Sequence, residues 1–509
     1  MKFLPLLVYF AILLFIGFKF RARSNSVSGF VLGGRSVGAW LTAFSYGTSY
    51  FSAVVFVGYA GQFGWKYGIA ATWAGIGNAL IGALMAWTVL GRRTRLLSQH
   101  LDASTMPEFF GRRYDSKALK LVASAIIFVF LVPYTASLYN GLSRLFAMAF
   151  SIDYSMCILL MSVLTAVYVT AGGYMASAIN DFIQGIIMLF GLVAVIAAVI
   201  MTNGGLIDSL DSLARITDLN VSSTPGVFAS FFGPDPLNLL FVIILTSFGT
   251  WGLPQMVQKF YAISNEDAIA KGTIISTLFA FVIAGGCYFL GGFGRLFASK
   301  VDVVKEGYDA IIPAMLADLG PALISLTVIL VLSASMSTLS SLVITSSATL
   351  TSDFIKGSFV KNMKPKTEVL TIRLFIVFFI AVSAIIALIQ HKSSVTFIAQ
   401  LMGISWGALA GSFLAPFLFS LYWKRTTKAS CWVSFIFGST LMILNMLAKP
   451  YFPEIFRSPI NCGALAMLAG FVIVPLVSFI TRAPDRRFTD ALFACYDSPR
   501  QVSAKTALG

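Results

Sequence analysis

The sequence predicts an all-α polytopic membrane protein, and three observations support this prediction. Of its 509 residues, 58% are hydrophobic and only 11% are charged, whereas soluble domains carry roughly 25% charged residues. The mean hydropathy is +0.85. The apolar residues are grouped into runs of about 20, the length that crosses a bilayer as a helix. A soluble protein of this composition would have too little polar surface to cover itself.

The apolar runs give about thirteen candidate spans. We expect the first to be retained rather than cleaved as a leader, because Arg21 and Arg23 follow it without a small-residue cleavage site. The candidate spans cover residues 3–20, 38–61, 67–91, 119–150, 155–171, 179–202, 236–258, 272–297, 321–351, 368–390, 395–422, 429–448 and 460–481. The sequence between them leaves no room for a separate catalytic domain, which favours transport.

The distribution of Lys and Arg predicts the orientation in the membrane. Basic clusters follow the first, third, ninth, eleventh and thirteenth spans, and cytoplasmic loops are the ones that carry such an excess. We therefore expect a multi-pass protein of the plasma or inner membrane, with the N-terminus outside. The loop 203–235 would lie outside, and residues 482–509 would form a cytoplasmic tail. The net charge of +15 is explained by these loops, so we expect no nucleic-acid partner.

The residues that usually carry enzyme chemistry are sparse in this sequence. The five cysteines are scattered without a CxxC pair, and His100 and His391 lie far apart. This pattern indicates neither a disulfide framework nor a transition-metal site. With no nucleophile and base in a recognisable arrangement, we do not expect an enzyme, and no obligate protein partner is indicated.

Two of the spans contain helix-weakening residues at matching places. The second span reads "LTAFSYGTSYFSAVVFVG", with Gly47 near its middle, and the seventh reads "TSFGTWGLPQMVQKF", with Gly249, Gly252 and Pro254. Gly and Pro weaken the helical ladder. Non-helical backbone at membrane depth is tolerated where it lines a cavity inside the protein. The sequence therefore predicts two broken helices.

These two spans are five apart and enter the membrane from opposite sides. They would open two inverted repeats, residues 38–202 and residues 236–422. A pair of interrupted helices in corresponding halves is the strongest sequence indication of a transporter binding site. For either span alone, the ordinary frequency of Gly and Pro in membrane helices remains an alternative explanation.

The ninth span contains the stretch "SASMSTLSS", which is rich in hydroxyl groups. Ser337 and Thr338 lie three and four residues after Ala334, so both side chains project beside its carbonyl. The second span can add freed carbonyls at Thr48 and Phe51. About five neutral oxygens with few carboxylates suit an alkali cation better than Mg²⁺ or Ca²⁺. A single membrane Ser or Thr more often bonds to its own helix or joins helices, but a face of hydroxyls opposite a broken helix favours a cation site.

Four segments of the chain carry a family resemblance. They are "GFVLGGRSVGAWLTAFSYGTS", "VYVTAGGYMASAINDFIQGIIMLFG", "FGTWGLPQMVQKFYAISNEDAIAKG" and "LSASMSTLSSLVITSSATLTSDF". The sequence resembles the sodium:solute symporter family over residues 30–430. The resemblance implies the inverted five-helix-repeat fold of the leucine transporter, with one extra helix before the repeats and two after them. It also implies Na⁺ as coupling ion and a small solute as the other ligand.

The family's site residues are carried over position by position. The resemblance implies a sodium site at Thr48, Phe51, Ala334, Ser337 and Thr338, the residues that spacing also selects. It implies a second sodium site, which only some members use, at Asp181, Ser340 and Ser341.

The resemblance also implies a substrate pocket between the two broken helices. The expected pocket residues are Tyr50, Ser52, Tyr134, Thr250, Trp251 and Gln255. Aromatic walls with few polar groups suit a small, mostly apolar solute such as an amino acid or small carboxylate. The sequence departs from the family's proline permeases at Tyr50 and Thr246, where those carry an aspartate and a tryptophan.

The expected function is therefore sodium-coupled uptake of a small organic solute by alternating access. Two alternatives stay open at this point. A proton-coupled symporter of the same fold would need an intramembrane relay, for which Asp181 is the candidate. A membrane nutrient sensor would keep the binding site without transporting.

Overall fold

The computed structural model describes residues 4–20, 26–150, 152–356, 359–360, 363–393 and 398–497. The predictions that concern residue 3, Arg21, Arg23, 395–397 and 498–509 lie outside these described residues. Where it is described, the chain is helical almost throughout, which confirms the predicted class.

Several helices begin with a proline, because a backbone N–H in the first turn has no partner within its own helix. Pro236, Pro321 and Pro459 each stand in the first turn of their helix, where the missing N–H costs nothing. The long helices are Leu4–Lys19, Val54–His100, Lys117–Phe150, Tyr154–Met201, Glu266–Gly292, Pro321–Ile355, Pro365–Ser393, Ile398–Tyr422, Lys428–Leu447 and Pro459–Ile480. Shorter helical segments are Val27–Leu32, Gly33–Arg35, Met106–Arg113, Leu206–Ala214, Val227–Ala229, Gly294–Lys300, Val303–Glu306, Tyr308–Ala310, Ile311–Leu316, Lys449–Tyr451, Glu454–Phe456, Arg486–Phe493 and Ala494–Tyr496.

Within the described residues, nine helices are long and apolar enough to cross a membrane. The pair Pro236–Gly252 and Pro254–Ala262, bent by 45°, raises the number to ten. The N-terminal helix Leu4–Lys19 has 16 residues and is shorter than a full span. The exact count of thirteen is therefore not confirmed.

Two glycine breaks account for part of this difference. The helix Val54–His100 contains Gly68 with φ 62° and ψ −143°, and Tyr154–Met201 contains Gly173 with φ 61° and ψ −159°. Gly173 lies between the fifth and sixth predicted spans, and Gly68 lies at the start of the third, where the second and third predicted spans meet. A residue with a side chain is disfavoured at these dihedrals, so glycine lets two helical segments meet without a longer loop.

The first broken helix consists of Ala39–Tyr50 and the segment 54–67. The helix ends at Phe51, which is extended with φ −90° and ψ 116°. The predicted break at Gly47 is therefore displaced toward the C-terminus. Gly47 is helical, and a Cβ there would lie 2.4 Å from the ring of Phe279, so this glycine allows two helices to pack closely.

The second broken helix consists of Pro236–Gly252 and Pro254–Ala262. Leu253 between them is extended, with φ −81° and ψ 123°, because the residue before a proline is restricted to extended backbone. Here the break lies where the sequence predicts it. The assignment of residues 38–202 and 236–422 to inverted repeats stays a prediction.

The helix Pro321–Ile355, called the hydroxyl helix below, lies in the centre of the molecule. All residues from 330 to 349 are buried. It packs against Lys117–Phe150, Tyr154–Met201 and the first half of the first broken helix. The "SASMSTLSS" stretch is therefore surrounded by protein and does not face lipid.

Basic loops predicted to share one side of the membrane meet at one end of the molecule. The Arg93 guanidinium lies 4.1 Å from the ring centroid of Tyr422 and 4.6 Å from that of Tyr496. Lys424 Nζ pairs with Asp490 Oδ1 at 2.8 Å. These contacts join loops after the third and eleventh predicted spans to the tail. That this end faces the cytoplasm stays a prediction.

Candidate functional site

Four oxygen atoms from two helices converge beside the break in the first broken helix. Ser337 Oγ lies 3.0 Å from the Thr48 carbonyl oxygen and 2.9 Å from that of Ala334. Thr338 Oγ1 lies 3.0 Å from each of the same two carbonyls. A hydroxyl has one proton and two lone pairs, so each of these hydroxyls can donate to only one of the two carbonyls at a time and keeps lone pairs that a cation can use.

The environment of this cluster suits a dehydrated alkali cation. Ser337 and Thr338 are completely buried, and no carboxylate or ammonium group contacts their hydroxyls within the described part of the chain. Phe51, whose backbone leaves the helix here, lines one small cavity together with Ala334. The arrangement brings together the residues that the sequence selects for the first sodium site.

The break itself is stabilised by side chains. Ser335 Oγ accepts from the backbone N–H of Ala53 at 3.2 Å, and Ser52 Oγ accepts from that of Val54 at 3.2 Å. An unpaired buried N–H would destabilise the fold. The stretch "SASMSTLSS" therefore stabilises the break through Ser335 and also supplies the hydroxyls of the oxygen cluster.

The residues expected to form a second sodium site separate into two groups. Ser340 Oγ lies 2.7 Å from Ser177 Oγ and donates to the Ser337 carbonyl. Asp181 is fully buried, and its Oδ2 accepts from Ser45 Oγ at 2.5 Å. Ser341 lies on the side of Asp181, with Lys259 between them.

Lys259 is the group that the sequence analysis missed. It lies on the second half of the second broken helix and is 2% exposed. Its Nζ donates to Ser45 Oγ at 2.8 Å and to Ser341 Oγ at 2.9 Å. The signal was present, since "MVQKFYA" is the only part of the two predicted broken spans that carries a lysine.

An aromatic cluster lies between the two broken helices. The rings of Tyr50 and Trp406 have centroids 5.3 Å apart, and Tyr134 meets Trp406 edge-on at 6.0 Å. A Cβ at Gly249 would lie 2.7 Å from the Trp406 ring, so the glycine makes room for it. Trp406 was not among the expected pocket residues, although it stands between small residues in "GISWGALAG".

The polar groups of the expected pocket differ in whether they already have a hydrogen-bond partner within the protein. Thr250 Oγ1 and Trp251 Nε1 donate to the carbonyls of Gly82 and Ile81, so both side chains are engaged with a neighbouring helix. Gln255 is fully buried, and neither of its amide atoms has a hydrogen-bond partner among the described residues. Among the expected residues, Gln255 is therefore available to a solute.

An open cavity of about 960 Å³ lies at the opposite end from the basic loops. Gln62 of the first broken helix and Val242 of the second line it. At its edge Arg295 donates to the Trp65 carbonyl and pairs with Asp218 at 3.0 Å. The hydrogen bond from Arg295 lowers the pKa of Asp218 from its usual range. The cavity is lined by residues from the second half of the first broken helix and from the first half of the second.

Two broken helices around a buried oxygen cluster, with an aqueous cavity on one side, define a multi-pass membrane transporter. Comparison with known proteins is consistent with this class. The model of the sodium:solute symporter family matches residues 30–438, and the chain belongs to that family. Its members are transporters and not enzymes, and sodium-coupled symport of a small solute is the activity that membership supports.

Relatives of known name cover nearly the whole chain. The sodium/proline symporter of Staphylococcus aureus is 30% identical over 93% of this chain and 90% of its own length. The same symporter from strain JH9 is 31% identical over the same shares.

Solved structures show the same fold. A Na⁺-coupled sialic acid symporter in a substrate-bound outward-open state superposes with a TM-score of 0.72 at 16% identity, covering 95% of this chain and 99% of that one. A nucleobase-cation-symport-1 family transporter in a closed conformation superposes with a TM-score of 0.51 at 14% identity, covering 92% and 99%. At these identities the likeness concerns the fold.

Proposed function

We propose that this protein takes up a small organic solute, such as an amino acid or small carboxylate, together with Na⁺ by alternating access. The observation that carries this proposal is the oxygen cluster formed by Thr48, Ala334, Ser337 and Thr338. The cluster joins two helices that must move relative to each other. An ion held there favours one arrangement, as coupling requires.

The aromatic cluster and Gln255 would form the solute site. Tyr50, Tyr134 and Trp406 supply apolar surface, and the buried Gln255 amide supplies donors and an acceptor. The break at Leu253 frees backbone groups beside them, and the N-termini of half-helices favour carboxylates. A small solute with one polar end fits this combination.

Proline belongs among the first solutes to test, because the similar proteins from Staphylococcus aureus are sodium/proline symporters. The environment of Tyr50 provides evidence on whether proline is the solute. Its hydroxyl donates to the Thr246 carbonyl at 2.9 Å, so the two positions that depart from the proline permeases contact each other. A joint change at contacting positions favours a solute whose shape or charge differs from that of proline.

The direct test uses purified protein in vesicles with an imposed inward sodium gradient. We expect transient accumulation of the solute, abolished by a sodium ionophore and unaffected by collapse of the proton gradient at fixed voltage. One Na⁺ entering down about 100 mV with a tenfold gradient releases roughly 3.7 kcal/mol, enough for accumulation of several hundredfold. Sodium and solute should tighten each other's binding by the same factor.

Proton coupling is the second candidate, and one observation favours it. Asp181 and Lys259 form a buried pair of titratable groups connected through Ser45, which is the kind of group that proton-driven transporters use. Accumulation driven equally well by a proton gradient in the absence of sodium would establish this candidate and contradict sodium coupling.

A further inference from the structure

The proposed sodium and solute sites do not use the buried Lys259 ammonium. The Lys259 ammonium is enclosed by groups from three other helices. Ser45 of the first broken helix and Ser341 of the hydroxyl helix accept its hydrogen bonds at 2.8 and 2.9 Å. The ring centroid of Tyr174, on Tyr154–Met201, lies 5.0 Å from Nζ. Two hydroxyl oxygens and an aromatic face form a cage of the kind that holds a cation.

The negative charge that balances this ammonium is Asp181. The Ser45 hydroxyl accepts from Lys259 and donates to Asp181 Oδ2, so this one hydroxyl bridges the two charges. Asp181 is also the charged group that acts on Lys259 electrostatically. A single charge buried at this depth is strongly unfavourable, whereas an ammonium and a carboxylate together are neutral.

A second sodium ion does not fit this cluster. Ser341 and Asp181 are the residues that would bind it, but Ser341 already accepts from Lys259 and Asp181 is already balanced by it. Ser340, the third expected ligand, bonds to Ser177 and the Ser337 carbonyl instead. An added sodium ion would leave a net positive charge in a fully buried cluster.

We propose that the Lys259 ammonium permanently occupies the place of a second sodium ion, so that the protein binds and carries one Na⁺ per cycle. This inference rests on the proposed sodium-coupled symport. It makes Lys259 a residue that determines stoichiometry. Its removal should convert a one-sodium protein into a two-sodium protein.

The residues that would bind the additional ion are already in place. In Lys259→Met, the Asp181 carboxylate loses its counter-charge while the hydroxyls of Ser45 and Ser341 lose their donor. Ser49 Oγ, 2.7 Å from Ser341 Oγ, adds another neutral oxygen. A carboxylate with three hydroxyls is a suitable set of ligands for Na⁺.

The test counts sodium ions bound to purified protein, with radioactive Na⁺ alone as the probe. We expect one ion per wild-type protein and two per Lys259→Met protein. Lys259→Met combined with Asp181→Asn removes both charges and should return the count to one. Adding Ser337→Ala and Thr338→Ala to Lys259→Met should also leave one ion, now at the second site. Lys259→Gln, which retains hydrogen-bonding capacity, replaces Lys259→Met if the latter does not fold.

Two outcomes would overturn this proposal while leaving sodium coupling intact. They are two ions bound by the wild-type protein, or a single ion still bound after removal of the ammonium. A wild-type protein that binds no sodium would contradict the proposed function itself.

Discussion

Ser337 and Thr338 each contribute one oxygen to the proposed sodium site, and their replacement tests it most directly. In the double variant Ser337→Ala/Thr338→Ala we expect the sodium concentration for half-maximal uptake to rise by about tenfold or more. The reason is that each buried group left unpaired costs on the order of 1–3 kcal/mol. Sodium-dependent uptake and protein abundance would be measured in parallel.

Ser325→Ala is the matched control for this pair. Ser325 lies near the start of the same helix, and its hydroxyl donates to the Pro321 carbonyl. We expect its sodium dependence to match the wild type. A normal sodium dependence in the double variant would show that the site is misassigned.

Trp406 tests the solute site separately from the sodium site. In Trp406→Phe the smaller ring loses part of its contact with Tyr50 and Tyr134, and the indole N–H is removed. We expect the KM for the solute to rise severalfold with unchanged sodium affinity, since aromatic contacts are worth about 0.5–1.5 kcal/mol. Trp432→Phe, on Lys428–Leu447, is the control, and equal effects of both variants would contradict the assignment.

Spacing along one helix predicts which side chains share a face but not what lies opposite. Ser337, Thr338 and Ala334 share a face because of their separation in sequence, and the structure places them together. Lys259 reaches Ser341 across 82 residues of sequence, and no pattern within either helix indicates that meeting. Trp406 was missed for the same reason.

Among the helices, the second half of the first broken helix, residues 54–67, and Glu266–Gly292 form one tightly packed pair. A Cβ built at Gly64 would lie 1.9 Å from the carbonyl oxygen of Gly291, and one at Gly291 would lie 2.1 Å from that of Ala60. Both contacts are with backbone, which cannot rotate away. We therefore infer that these two helices move as one unit during transport.

The added methyl group of Gly64→Ala should push the segment 54–67 and Glu266–Gly292 apart. Because overpacking costs about 1–3 kcal/mol, we expect a lower melting temperature and a lower transport rate. Gly285→Ala is the matched control, since a Cβ at Gly285 meets no atom within 4 Å. A Gly64→Ala protein that melts and transports as the Gly285→Ala protein does would rule out the rigid pair.

The two breaks show how well the local sequence predicts where a helix is interrupted. Leu253 is extended because Pro254 follows it, so that break was predictable. The first break falls at Phe51, where Ser335 of the hydroxyl helix accepts from the freed backbone N–H of Ala53. A break stabilised by another helix cannot be located from its own residues, which is why Gly47 was a misleading signal.

For the molecule as a whole, the two ends differ in charge, and this difference predicts the orientation. Single cysteines at Ser223 and at Ala118, both exposed, would be introduced after replacement of the partly buried Cys495. We expect a membrane-impermeant maleimide to label Ser223→Cys in intact cells and Ala118→Cys only after permeabilisation. The reverse pattern would invert the proposed topology.

The class of fold was predictable because apolar composition and span length are properties of the whole chain. The count of thirteen spans is not confirmed, because Val54–His100 and Tyr154–Met201 each continue through a glycine, Gly68 or Gly173, without a loop between two predicted spans. The large cavity was also invisible, because Gln62, Asp218 and Arg295 meet only in three dimensions.

The caged Lys259 ammonium has an electrical consequence. Lys259 and Asp181 together give this cluster a net charge of zero in the sodium-free protein. A sodium ion bound at the hydroxyl helix would then add the charge on which the membrane potential acts, worth about 2.3 kcal/mol per 100 mV over the full membrane. Hyperpolarisation should therefore accelerate the loaded half of the cycle and leave the empty return step unchanged. Transport currents should accordingly rise with voltage and then level off, at a plateau set by the rate of the empty return.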